Sequence, residues 1–189
     1  MGNSLERVIV DSEKALWEWL FHNHESDDSY LLVTWKKSNK DRYISRDQVL
    51  DALLAYGWID GRRYALDDVK TMQLICKRKQ QKWTQSYRDR IEKLNANGLM
   101  MPSGLAAVSE AQNKGTWLAN QDVDDLICPD DLKNALQEKG GLAWWESAAP
   151  SYKRNCLRWL GAAKKSETRQ KRCHKIADAC GTGQKIKNM

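Results

Sequence analysis

A chain of 189 residues with 41% apolar side chains is long enough for one sizeable domain or two small ones, and too apolar to stay disordered. Its net charge of +6 is unevenly held: residues 151–189 carry eleven Lys and Arg against Glu167 and Asp178, while residues 1–150 hold 20 basic and 23 acidic groups. No run approaches the roughly 18 apolar residues of a membrane span, and five cysteines without CxxC spacing argue against a disulfide framework or a structural zinc.

Residues 1–7 lack the apolar core of a signal peptide, so the expected location is the cytoplasm. Asp11 and Ser12 offer an N-cap to a first helix carrying Leu16, Trp17, Trp19, Leu20 and Phe21 and ending near His24. Residues 30–36, β-branched and aromatic, read as a strand with Leu31, Val33 and Trp35 on one face. Ser45-Arg46-Asp47-Gln48 has the form of a capping box, and Val49, Leu50, Leu53, Leu54 and Tyr56 follow at helical spacing up to Gly57.

From Trp58 the period changes to two. Trp58, Asp60, Arg62 and Tyr64 then share one face of a strand, and residues 69–76 make its hairpin partner across Asp67-Asp68. The N-terminal half is therefore expected to be a small three-stranded antiparallel sheet with helices, in an α+β domain spanning residues 1–117.

Residues 77–82 form a basic connector that Trp83 closes. Thr84 then caps a helix with Tyr87, Ile91 and Leu94 on its stripe, and Pro102 opens another that stops at Gly115. Residues 118–128, with Asp122, Asp124 and Asp125, read as an acidic linker. Residues 129–189 read as an all-helical basic module, with helices starting at Pro129, Leu142, Ser151 and Ser166. In it Cys156, Cys173 and Cys180 lie on apolar stripes and count as small core residues.

Asp60 and Arg62, two apart on a strand, are placed to pair or to hold a zwitterionic or polar ligand between Trp58 and Tyr64, with Lys82 and Trp83 as further walls. On the last helix Lys164, Lys165, Arg169, Lys171, Arg172 and Lys175 surround Cys173, Ile176 and Cys180. Such a cationic ridge suits weak, salt-dependent contact with nucleic acid or an anionic surface. His22 and His24 diverge on their helix, as do Cys173 and His174, so no metal site is expected. No Walker, nucleophile-elbow or dinucleotide fingerprint occurs, so neither a cofactor nor a catalytic residue is identified.

The order of several motifs resembles that of the YdeI/OmpD-associated, or bacteriocin-protection, family. Its carriers are Gly57-Trp58-Ile59-Asp60-Gly61-Arg62, Lys82-Trp83, Gly98-Leu99-Met100-Met101-Pro102-Ser103-Gly104-Leu105, Gly115-Thr116-Trp117, Pro129-Asp130-Asp131-Leu132, and residues 150–169 from Pro150-Ser151-Tyr152 through Thr168-Arg169. The resemblance implies a role in bacterial resistance to antimicrobial peptides and envelope stress, and implies no reaction. Cys76-Lys77, Gln81, Trp83, Thr84 and Tyr87 depart from the family pattern, which alters the chemistry of that loop. The expectation is a non-enzymatic binding protein; the alternative is a small hydrolase or transferase with Asp60 as base and Arg62 and Lys82 as electrostatic stabilisers.

Overall fold

A computed structural model describes residues 5–79 and 82–186. Residues 1–4 of the N-terminal segment, Gln80 and Gln81 of the basic connector, and Lys187 of the basic tail lie outside the described residues. The chain divides into two compact units, Met1–Ala119 and Asn120–Met189.

The N-terminal unit runs β1 (Glu6–Ile9), α1 (Glu13–Asn23), β2 (Ser29–Trp35), α2 (Arg46–Ala55), β3 (Trp58–Ala65), β4 (Lys70–Lys77), α3 (Gln85–Ala96) and α4 (Pro102–Asn113). Its sheet has the order β1-β2-β4-β3. The architecture is α+β as expected, but the sheet has four strands and is mixed rather than three-stranded and antiparallel. β1 pairs parallel to β2, with Val8 opposite Leu32, whereas β2/β4 and β3/β4 are antiparallel. A parallel neighbour needs a crossover connection, which α1 supplies. Four residues with two charges, Glu6-Arg7-Val8-Ile9, carry no local alternation that announces such a strand.

Local chemistry sets most boundaries. Ser12 Oγ accepts from Ala15 N at 3.1 Å, and Ser45 and Gln48 form a reciprocal capping box at the start of α2. Gly57 ends α2 with φ of +76°, a conformation that a side chain disfavours. The β3–β4 turn is held by Asp67 Oδ1, which accepts from Val69 N and Lys70 N at 2.9 and 2.6 Å.

The core of this unit gathers Leu16 and Leu20 of α1, Leu32 of β2, Val49 and Leu53 of α2, Trp58 of β3 and Ile75 of β4. Each of the large aliphatic side chains there contributes roughly 1.5–3 kcal/mol by leaving water. A second cluster joins Leu54 to Trp83, Ile91, Leu94 and Ala111, which fixes α3 and α4 against α2.

The C-terminal unit contains α5 (Gln121–Asp124), α6 (Asp130–Glu138), α7 (Leu142–Ser147), α8 (Pro150–Gly161) and α9 (Ser166–Gly181), and no strand among the described residues. The acidic stretch 118–128 thus contains a short helix, and Val123 and Cys128 pack against the core of this unit. That core is Leu132, Leu136, Trp145, Tyr152, Leu160 and Ile176 with the three cysteines. Burial pushes the thiols of Cys173 and Cys180 up to about 11 and that of Cys156 up as well, which suppresses the reactive thiolate. Two caps differ from expectation: Ala149 precedes α8, so that Pro150 takes its first turn, and Lys165 rather than Ser166 caps α9. No helix among the described residues is long and apolar enough to cross a membrane.

Candidate ligand-binding cleft

The geometry of β3 is governed by a bulge. Asp60 stands opposite Ile75 and Arg63 opposite Gln73, so Gly61 and Arg62 face the single residue Leu74. A Cβ on Gly61 would lie 3.2 Å from Leu74 Cβ and Leu74 O, which explains a glycine at this point. Directly opposed residues project to one face, and Gln73 and Ile75 are two apart, so the residue sharing the face of Asp60 is Arg63. The expected Asp60/Arg62 pair therefore does not form.

Asp60 Oδ1 accepts from the Tyr87 hydroxyl at 2.7 Å, and Oδ2 from Gln73 Nε2 at 3.2 Å. Gln73 passes the network on, its Oε1 accepting from Arg63 Nη2 at 2.5 Å. Burial, followed by the bond to Asp60, pushes the Tyr87 phenol up to about 12, so it remains a donor at neutral pH. Asp60, Arg63 and Gln73 line a cleft of about 340 Å³ together with Arg46, Asp47, Val49 and Leu50 of α2.

The other predicted site residues disperse. Trp58 is fully buried in the core, and its indole N–H donates to His24 O at 3.1 Å. Trp83 is 1% exposed, within the second cluster, with its ring 5.0 Å from that of Trp117. Arg62 is exposed and lies over the Tyr64 ring at 5.4 Å. Lys82 is exposed too, and its backbone carbonyl accepts from Arg78 Nη2 at 3.1 Å. Trp58, Asp60, Arg62 and Trp83 do not meet in one open cleft, because two of them are needed by two different hydrophobic clusters.

Arg78, which the sequence places in a basic connector, is only 6% exposed and stacks 3.7 Å from the centre of the Trp83 ring. Burial lowers its guanidinium to about 10, an effect that Tyr87 and Asp60 partly oppose. Arg46, Asp47, Arg63, Gln73 and Tyr87 are the polar residues that sequence reasoning missed at this site. Only the pairing of Ser45 with Gln48 hinted at where Arg46 would stand. A wider hollow of about 440 Å³ is lined by His24, Lys77, Arg78 and Ser103 with Glu25 and Glu110, and includes none of the predicted face.

In the C-terminal unit the predicted cationic ridge is partly engaged. Arg169 binds Asp131 through two hydrogen bonds of 2.5 and 2.9 Å, and that contact holds the Asp131 carboxyl below its ordinary range. Arg172 donates to Trp159 O and stacks on the same ring at 4.9 Å, with Lys175 Nζ 5.6 Å from its centre. Lys164, Lys165 and Lys171 are exposed. A half-buried aromatic, Trp159 of α8, thus lies beside the ridge while packing on the core of this unit. No group of three or more His, Cys, Asp or Glu positioned to hold a metal occurs among the described residues.

Comparison with known families divides the chain along the same lines as its compact units. Residues 8–107 match a family described as a domain of unknown function (DUF8412), and residues 125–183 match the family described as Bacteriocin-protection, YdeI or OmpD-Associated. The latter match includes Pro129-Asp130-Asp131-Leu132 and residues 150–169, whereas Gly57 through Arg62, Lys82-Trp83 and Gly98 through Leu105 fall within the former. No curated protein and no solved structure significantly matches the chain. The chain belongs to the DUF8412 family, whose domain covers just over half of it, and its C-terminal unit carries a domain of the bacteriocin-protection, YdeI/OmpD-associated family.

Proposed function

We propose that this protein is a non-enzymatic protection factor that binds a polar or peptide-like ligand in the cleft between α2 and β3, within a reducing, cytoplasmic compartment. The observation that carries this reading is the fixed carboxylate of Asp60. Tyr87 and Gln73 orient it beside Arg46 and Arg63 in a concavity whose size is at the lower end of small-molecule sites. The family of the C-terminal unit supplies the protective context. Five free thiols, three of them buried, agree with a reducing compartment. Against the hydrolase or transferase alternative, both Asp60 oxygens already accept hydrogen bonds, and Arg62 and Lys82 lie outside the cleft.

Calorimetric titration with short cationic, zwitterionic and neutral peptides tests the reading. The intact protein is expected to bind at least one class. Asp60→Asn should weaken that binding by about tenfold, the scale of a hydrogen bond to a charged group. If no class binds, or if Asp60→Asn binds as tightly as the wild type, the cleft is not the site.

A second reading rests on Trp159 between Arg172 and Lys175. A partly open ring flanked by two cations suits the stacking and charge pattern of single-stranded nucleic acid. Labelled single strands, duplexes and anionic vesicles titrated at roughly 50 and 200 mM salt should show weak binding, best for single strands, that falls steeply with salt. No binding at the lower salt would remove the ridge from consideration.

A further inference from the structure

The charges around the cleft do not balance within it. Asp60 is taken up by Tyr87 and Gln73, as described above. Asp47 is occupied from outside the cleft, its Oδ1 accepting from Arg90 Nη2 at 2.6 Å. On the cationic side, Arg63 spends one Nη2 bond on Gln73, while its Nε is buried and finds no hydrogen-bond partner among the described residues. The side chain of Arg46, at the first position of α2, is exposed and makes no hydrogen bond or ion pair among the described residues. Two guanidinium groups consequently line one small concavity with their own carboxylate neighbours otherwise engaged.

We propose that this cleft recognises a carboxylate group of its ligand, held between the guanidinium groups of Arg46 and Arg63. The inference rests on the reading of this cleft as the ligand site and adds the chemistry that site selects. Guanidinium donors that lack a protein partner gain hydrogen bonds from an incoming oxygen; at Arg63 this falls to the outer nitrogens, because the buried Nε is closed to a ligand. Arg46 and Arg63 also repel one another: Arg63 is lowered by burial first and by Arg46 second, against the pull of Asp60 and Tyr43. An anion between them replaces that repulsion with two attractions, and the planar fork of arginine matches the two oxygens of a carboxylate.

The same lining acts on the rest of the ligand. Asp60 and Asp47 stand on the cleft wall beside the two arginines, so a second negative charge on the ligand adds repulsion from the carboxylates along with attraction to the guanidinium groups. The two carboxylates also favour a ligand with a positive or donor group beyond its carboxylate, which a peptide provides. A volume of about 340 Å³ admits a terminal residue or one acidic side chain and little more.

The test uses the full chain and three small peptides: N-acetyl-trialanine as the free acid, the same peptide as its C-terminal amide, and an N-acetylated Ala-Glu-Ala amide. By calorimetry in low salt at neutral pH, a carboxylate-bearing peptide should bind about tenfold tighter than the plain amide. The two acidic peptides distinguish a chain terminus from a side-chain carboxylate. Arg46→Gln, at an exposed position, should abolish the preference. Arg63→Lys, which keeps the charge and loses the fork, should reduce it several-fold. Circular dichroism and thermal melts confirm that each variant is folded. Equal binding of acid and amide, or a preference that survives Arg46→Gln, overturns the inference but leaves the peptide-binding reading intact. Failure of these peptides and of the wider panel to bind overturns both.

Discussion

Replacing Trp58 with alanine should destabilise the N-terminal unit by about 3–5 kcal/mol, the range for deleting a large buried aromatic. The ring has no exposed surface, meets Trp19 edge-on at 5.6 Å and lies 6.0 Å from Tyr30, and joins α1, β2 and β3 in one cluster. Domains of this size are stable by only about 5–15 kcal/mol, so the loss is a large share of the total. Trp58→Phe keeps most of the ring and removes the donor to His24 O, and should cost about 1–3 kcal/mol. Hydrogen exchange of the β3 and β4 amides measures this unit separately from the helical one. A loss below about 1 kcal/mol for the alanine variant would contradict the core position of Trp58.

Gly104→Ala is expected to lower stability although it places the better helix former inside α4. On propensity alone the change should stabilise the helix by about 1 kcal/mol. At this position, however, an added Cβ would fall 2.1 Å from Ala55 O and 2.8 Å from Ala55 C. Those are backbone atoms at the end of α2, and they cannot yield as a flexible side chain does: Gly57 closes the helix just beyond, and Ala55 O also accepts from Met101 N at 3.0 Å. Separating α4 from α2 relieves the clash and loosens the cluster of Leu54, Trp83 and Ala111. The net cost should be about 2–3 kcal/mol, in the range of overpacking. Gly161→Ala, at the end of α8 where a Cβ meets nothing within 4 Å, serves as the comparison and should be neutral or mildly stabilising. Matching melting temperatures for Gly104→Ala and the wild type would show that α4 does not approach α2 this closely.

The features legible in the sequence are those whose determinants lie within a few residues of one another. Ser12 and the Ser45–Gln48 box start helices, Gly57, Gly98 and Gly115 stop them in a left-handed conformation, and Asp67 turns β3 into β4. Apolar spacing likewise placed Cys156, Cys173 and Cys180 in the helical core. The need of Asp60 for polar partners was legible as well, because a carboxylate in a strand of aromatics must find them.

Which partners it found was decided by the tertiary structure. Tyr87 is 27 residues away on helix α3, and Gln73 reaches Asp60 across the strand pair. The bulge at Gly61-Arg62 arises from close packing on Leu74 and moves the following residues by one position, which turns Arg62 out and Arg63 in. Period-two reading assumes an unbroken ladder and cannot register that shift. In the same way Arg78 reads as solvated within its own basic segment, and only the docking of Trp83 among Leu54, Ile91 and Ala111 makes it a buried cation over a ring. The pairing of β1 with β2 depends on closing a chain loop through α1 and burying Val8 opposite Leu32. Local propensity fixed the elements because it acts between neighbours along the chain; the cleft required surfaces that become neighbours only after the chain has folded.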